Sequence, residues 1–220
     1  MPPALAALFP DTLAAAATAA LWIGYHRWLR WKLTRDPLYT TQAVNAHART
    51  QWVAWAMAAP GREIMAAQVL RNSIMSAVFI GTTSALLILG TLTLSGQQHD
   101  HSGVWNALNA FGASAPELWL AKLLALLVDF LFAFFCALQA VRLLNHAGYL
   151  AALPPESRDA TLTPARTAGV VNRAADYSGR AIRAYFLAVP LTFWLFGPWF
   201  MLGAAAVVVW LLYRFDRAGD

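Results

Sequence analysis

The sequence has little charge and almost no cysteine. Only 12% of its 220 residues are Asp, Glu, Lys or Arg, whereas 59% are hydrophobic and the mean hydropathy is +0.49. So few charged side chains cannot cover a soluble surface, and so many apolar ones exceed what one soluble core holds. Because Cys136 is the only cysteine, a disulfide framework and a cysteine metal site are excluded. The composition indicates an integral membrane protein.

Common catalytic motifs are also missing from the sequence. It contains no G-x-x-x-x-G-K, no H-E-x-x-H and no C-x-x-C. His99 and His101 form a pair without a third ligand, so they predict no metal site. His26 and His146, near the inner ends of two predicted spans, leave haem ligation open. We predict that the protein is not an enzyme, and the sequence identifies no metal or cofactor site.

Four apolar segments are long enough to cross a hydrocarbon core of about 30 Å, which takes about 20 helical residues. They cover residues 12–30, 74–95, 118–141 and 184–212. We interpret the first as a retained span and not a cleaved signal peptide, because no Lys or Arg precedes it and a flank rich in Trp and Arg follows it. The fourth is long for one crossing but too short for two.

The basic residues predict the orientation. The sequence has a formal charge of +5, and 13 of its 16 Lys and Arg lie in residues 27–71 and 142–183, whereas none lies in 96–115. By the positive-inside rule, the two basic stretches are cytoplasmic, and the loop at 97–115 is external together with both termini. The basic excess is therefore a signature of topology and not of nucleic-acid binding. The expected location is the cell inner membrane, with several crossings.

Helices should continue on the cytoplasmic side. Residues 40–58 alternate apolar and polar positions as an amphipathic helix lying at the membrane interface does, after a break at Pro37. The second and third spans should continue for about 35 residues each, and Thr163 and Pro164 should begin the fourth helix. We predict an all-α membrane protein with one domain, residues 1–220: four long transmembrane helices extending into the cytoplasm, plus the interfacial helix.

Several stretches resemble a known family. They are YHRWL at 25–29, TTQAVNAHARTQWV at 40–53, QVLRNSIM at 68–75, and NRAADYSGRAIRAYFLAVPLTFWLFGPWFML at 172–202. They are similar to the four-span bacterial and plant membrane family known as domain-of-unknown-function family 599. The resemblance covers nearly the whole chain. It implies a membrane location and a four-span fold, but it supplies no catalytic or binding residue.

Asp129 is the carboxylate within the third predicted span, near its middle. An aspartate at that depth costs about 2.5–3.5 kcal/mol on insertion scales, so it should not face lipid. Lys122, Asp129 and Gln139 share one helical stripe with Cys136. The second span offers Thr82, Thr83 and Ser84 at comparable depth. These residues form the predicted polar core or ion path.

Three interpretations of Asp129 stay open. A carboxylate with hydroxyls suits a path for protons or a monovalent cation. A neutral Asp129 bonded to Thr or Ser would instead stiffen the bundle, and a third role is at a subunit interface.

Each of the other polar or bend-forming groups has a functional and a structural interpretation. Arg71, Asn72 and Arg142 form a cytoplasmic mouth or are interfacial anchors. Pro190, Gly197 and Pro198 form a gate or hinge, or only bend a packed helix. A basic face on the fourth helix, with Arg173, Arg180 and Arg183, should contact anionic lipid headgroups.

Two functions remain. The first is a small channel or transporter for a monovalent cation or protons. It should be a homo-oligomer, because four spans leave little room for an aqueous path and Ala77 and Gly81 lie on a ridge of small residues. The second is a non-transporting accessory or scaffold subunit of a larger membrane complex.

Overall fold

The computed structural model describes residues 3–96 and 116–218, which are mostly helical. The helices are α1 (Pro3–Arg35), α2 (Thr41–Ala56), α3 (Glu63–Gly96), α4 (Pro116–Ala152), α5 (Pro164–Trp194) and α6 (Pro198–Asp216), with a 3-10 turn at Pro155–Ser157. Within these residues there is no strand, only an isolated bridge. The predicted all-α class is confirmed. The predicted external loop with His99 and His101 lies outside the described residues.

Three of these helices are long and apolar enough to cross a membrane: α3, α4 from Glu117 onward, and α6. The second and third predicted spans lie within α3 and α4. These helices have 34 and 37 residues, so they are longer than a bilayer crossing, as predicted. The first predicted span lies within α1, and its crossing stays a prediction.

The fourth predicted span is wrong as a single helix, because α5 ends at Trp194 and α6 begins at Pro198. Gly197 has φ of 144°, a conformation that favours glycine, and Pro198 occupies the first turn of α6. Met201 of α6 packs with Ala188 and Leu191 of α5. The chain therefore reverses at residues 195–197, and α5 and α6 form an antiparallel hairpin.

This hairpin returns the end of the chain to the α1–α2 connection. The amide of Ala218 donates to the carbonyl of Tyr39 at 3.0 Å, and Thr40 forms a β-bridge with Arg217. We call this end of the bundle the basic end. Asp11 lies at the other end, beside Lys122. The start of α1 and the end of α6 therefore lie at opposite ends of the bundle, whereas the sequence predicted both termini on one side of the membrane.

The return of α6 also changes the distribution of charge. Arg214 and Arg217, which the sequence assigned to the outer side, lie at the basic end. Fifteen of the sixteen Lys and Arg residues consequently lie at the basic end or on the helices that extend past it, and Lys122 is the exception. The charge asymmetry is stronger than the sequence predicted.

Helix α2 has nearly the predicted limits. Thr40 caps it by accepting a hydrogen bond from the amide of Ala43. Arg49 donates to Asn172 of α5 at 2.9 Å, and Val53 is buried in a cluster with residues of α3, α4 and α5. The helix therefore packs antiparallel along α5, and its buried residues face protein. Its position at the membrane interface stays a prediction.

Helix α4 is central to the bundle. It packs against α3 on one side and α5 on the other. Ala77 and Gly81 of α3 face it, and a Cβ added at Gly81 would lie 3.5 Å from the Cβ of Ala137. The ridge of small residues is thus used for contact within the chain.

Candidate functional site

Asp129 lies on α4 with its side chain directed into the bundle, because the residue is only 8% exposed. Its Oδ2 atom is buried and has no hydrogen-bond partner among the described residues. Buried polar atoms in proteins are usually hydrogen-bonded, so a buried carboxylate oxygen without a partner requires an explanation. The prediction that Asp129 faces the bundle interior agrees with this placement.

Lys122, one heptad before Asp129, has a different environment from the one we predicted. Its Nζ lies 3.0 Å from Oδ1 of Asp11, and the two side chains are 2% and 0% exposed. Trp194 donates to the same Oδ1 atom at 2.8 Å, and its ring lies 5.6 Å from the Lys122 ammonium. Lys122 is therefore paired with a carboxylate of α1, and its part in an ion path with Asp129 stays a prediction.

The contact between Asp11 and Lys122 fixes the register of α1 against α4. Both helices run from this end of the bundle towards the basic end, so residues seven positions further on are expected at a similar depth, although α1 packs mainly on α6. These residues are Thr18 and Asp129, each about 10.5 Å further along its helix at 1.5 Å per residue. Thr18 is 4% exposed, and its Oγ1 has no hydrogen-bond partner among the described residues.

We call Asp11, Thr18, Lys122 and Asp129 the α1–α4 seam. Three buried side-chain atoms lack a partner in the described part of the chain, and two of them belong to the seam; the third is Nη2 of Arg49 on α2. One end of the seam is a complete ion pair. Its middle holds a hydroxyl and a carboxylate oxygen, both without a partner.

The other residues of the predicted polar core make no hydrogen bond to Asp129. Ser84 is buried, but its hydroxyl lies 2.9 Å from that of Tyr185 and donates to the carbonyl of Ile80. Thr82 is exposed on the outer face of α3, and Thr83 and Gln139 are half-buried. The structure therefore brings none of these side chains into a hydrogen bond with Asp129.

A second polar cluster lies at the basic end. Asp216 accepts two hydrogen bonds from Arg183 at 2.9 Å and one from the Tyr25 hydroxyl at 2.6 Å. Nδ1 of His26 donates to the carbonyl of Trp22 at 2.8 Å, and its Nε2 accepts from Arg183 at 3.1 Å. Tyr25 lies seven residues after Thr18, so Asp11, Thr18 and Tyr25 form one buried stripe on α1.

The predicted mouth and gate residues have ordinary environments. Arg71, Asn72 and Arg142 are exposed. Pro190 is buried within α5, which continues through it to Trp194. Gly197 and Pro198 form the reversal between α5 and α6 described above.

The chain was compared with protein families, curated proteins and solved structures. Residues 13–220 match the model of a family described as "Protein of unknown function, DUF599". The chain belongs to this family. No curated protein and no solved structure matches it.

Sequence reasoning missed Asp11 and Thr18 in this DUF599 protein. The first predicted span begins at residue 12, one position after Asp11, and the sequence analysis assigned no role to either residue. The signal was present as the spacing Asp11, Thr18, Tyr25, which puts three polar groups on one face of an apolar helix. Within the described residues of this DUF599 chain, no three His, Cys, Asp or Glu side chains could together hold a metal ion.

Proposed function

We propose that this DUF599 protein moves protons or a monovalent cation across the membrane, with Asp129 and Thr18 as the station in the middle of the path. The observation that carries the proposal is the buried Oδ2 atom of Asp129, which has no partner among the described residues. A carboxylate removed from water without a hydrogen bond or a counter-charge is costly, so a bound proton, ion or water is its natural complement.

The chemistry of the seam favours a cation over an anion. Asp129 supplies one carboxylate, and Thr18 supplies a buried hydroxyl. Oxygen ligands with one negative charge can replace the water around a monovalent cation or accept a proton. Lys122, the nearby cation along α4, is paired with Asp11 and so does not compensate Asp129.

Polar groups on α1 divide the path into steps. The step from Thr18 to Tyr25 is about 10.5 Å along the helix. Such a step is longer than a hydrogen bond, so water or the moving ion itself would connect the stations. Tyr25 leads to Asp216, Arg183 and His26 at the basic end.

The basic end supports an orientation for the protein. We infer that it is cytoplasmic by the positive-inside rule, so the protein sits in the cell inner membrane with its C-terminal end inside. In this orientation five helices cross the membrane: α1, α3, α4, α5 and α6. A homo-oligomer remains the expected assembly.

One observation favours the second candidate function, an accessory subunit. Helix α3 packs mainly on α4, and its other face exposes Val78, Phe79, Leu86 and Leu89, each about half exposed or more. Such a face suits lipid or the helix of a partner protein. A larger membrane complex could therefore use α3 as its contact.

Liposomes containing the purified protein test the transport proposal. A dye trapped inside reports proton flux under a pH gradient, and a second set reports K⁺ or Na⁺ flux. We expect flux with the unchanged protein and the level of empty liposomes with Asp129→Asn. This substitution keeps the shape and removes the charge. Asp36→Asn, an identical change at an exposed site in the α1–α2 connection, is the matched control.

Two results would contradict the transport proposal. One is undiminished flux through Asp129→Asn, and the other is no flux above that of empty liposomes for the unchanged protein. If the second result came with a stoichiometric partner after purification in mild detergent, the accessory function would be favoured instead.

A further inference from the structure

Two clefts lie on the surface of the basic end, outside the seam and its polar clusters. The first, of about 620 Å³, is lined by Arg27, Trp28, Arg30 and Trp31 at the end of α1. The second, of about 410 Å³, is lined by Trp210, Tyr213, Arg214 and Arg217 at the end of α6. Each cleft thus combines two guanidinium groups with two aromatic rings.

The two clefts adjoin each other. The rings of Trp28 and Tyr213 lie 5.7 Å apart and form a wall between them. The guanidinium of Arg214 lies 5.4 Å from the Trp210 ring, and that of Arg217 lies 5.9 Å from the Tyr213 ring. These contacts hold the arginines against the aromatic surface while leaving their N–H groups exposed.

The clefts carry an excess of positive charge. Arg27, Arg30, Arg214 and Arg217 are exposed, and no carboxylate belongs to the described lining of either cleft. Asp216 is adjacent in sequence, but Arg183 and Tyr25 occupy its oxygens. The surface therefore has four cationic groups available for an anionic ligand.

We propose that the paired clefts of α1 and α6 form a binding site for the phosphate headgroup of an anionic phospholipid. Arginine donates bidentately to phosphate oxygens, and Trp and Tyr are enriched at the headgroup level of membranes. Apolar side chains continue from both clefts towards the bilayer interior. Ile23 lies one turn from Arg27 and is 57% exposed, and Val207 lies two turns from Arg214 and is 56% exposed. These side chains would contact the acyl chains.

This site differs from the basic face that the sequence predicted on the fourth helix. Arg183 of that face is committed to Asp216 and His26, and Arg180 lies over the ring of Tyr177 at 5.1 Å. Arg173 and Arg180 of that face are exposed, so its contact with anionic headgroups stays a prediction beside the site on α1 and α6. The proposal is independent of transport through the seam.

Native mass spectrometry of the detergent-purified protein tests this site. The protein is titrated with phosphatidylglycerol and, separately, with phosphatidylcholine. Each arginine near an anionic surface contributes about 1 kcal/mol, or about fivefold in affinity. We expect Arg214→Gln with Arg217→Gln to weaken phosphatidylglycerol binding about 25-fold, and Arg27→Gln with Arg30→Gln to do the same. Arg71→Gln with Arg142→Gln removes the same charge from exposed positions on α3 and α4, and should leave binding unchanged.

Further measurements separate the lipid from other ligands and from misfolding. Replacing Arg214 and Arg217 by Lys keeps the charge and should retain more of the binding than the Gln pair. Binding to the unchanged protein should weaken as salt is raised, since the contact is ionic. Equal binding of phosphatidylcholine, full competition by soluble glycerol phosphate at the same concentration, or equal loss in the Arg71 and Arg142 control would each overturn the proposal.

Discussion

Asp11 and Asp129 are two buried carboxylates in the same seam, and they have opposite environments. Asp11 is fully buried, with an ammonium at 3.0 Å and an indole N–H at 2.8 Å. Asp129 is 8% exposed, and its Oδ2 has no partner among the described residues. A partner within the chain makes the first carboxylate part of the fold. Burial alone therefore does not identify a functional carboxylate, whereas burial without a partner gives a reason to look for a ligand.

The largest expected effect comes from removing the cation that is paired with Asp11. Lys122→Met leaves Asp11 charged and buried without its cation. Breaking a buried pair from one side costs about 3–5 kcal/mol, so we expect a loss of that order in the free energy of unfolding, measured by denaturant titration in detergent micelles.

The matched control removes both charges. Lys122→Met combined with Asp11→Leu should recover most of the lost stability, because an apolar pair of similar volume replaces an ion pair at little cost. If the double variant were no more stable than Lys122→Met alone, the ion pair would not be the source of the effect.

A smaller effect is expected at the basic end, where the carboxylate is only partly buried. Asp216→Asn removes the charge that Arg183 and Tyr25 share. Hydrogen bonds to charged groups contribute about 1.5–3 kcal/mol, and partial exposure puts Asp216 near the lower limit. The free energy of unfolding should fall by about 1.5 kcal/mol in the same titration. Tyr25→Phe removes only one of the donors to Asp216, so it should lower the free energy of unfolding by less than Asp216→Asn does. A larger loss for Tyr25→Phe would contradict this prediction.

The smallest effect is expected for the unsatisfied carboxylate. If Asp129 were hydrogen-bonded to a neighbouring helix, Asp129→Leu would cost about 1–2 kcal/mol. Because Oδ2 makes no such bond, we expect the unfolding free energy to change by less than about 1 kcal/mol, in either direction. A loss as large as that of Lys122→Met would mean that Asp129 has a structural partner and would end the contrast with Asp11.

Local signals in the sequence predicted local structure well. Thr163 caps α5 and Pro164 follows it, as expected, and α2 starts after Thr40. The limits of α3 and α4 also followed from their apolar runs. These features depend on neighbouring residues alone, such as a cap, a proline or an uninterrupted apolar segment.

Features that depend on distant residues were not predictable in this way. The G-P pair at 197 and 198 is compatible with a bend or with a reversal, and only packing of α6 against α1 and α5 selects the reversal. The pairing of Asp11 with Lys122 joins residues that are more than one hundred positions apart, so neither span alone reveals it. The direction of Asp129 was predictable from the cost of exposing it to lipid, but its partners were not.

The packing of α6 against α1 has a consequence for the synthesis of the protein. Ala218 contacts Tyr39, and α6 is a main packing partner of α1. The ribosome delivers α1 first and α6 last. If α1 crosses the membrane, as proposed above, it enters the bilayer during synthesis with Asp11, Thr18 and Tyr25 on one face, before the helices that cover this face exist. Its early residence in the membrane depends on water, lipid headgroups or an insertion factor that shelters this polar face until translation is complete.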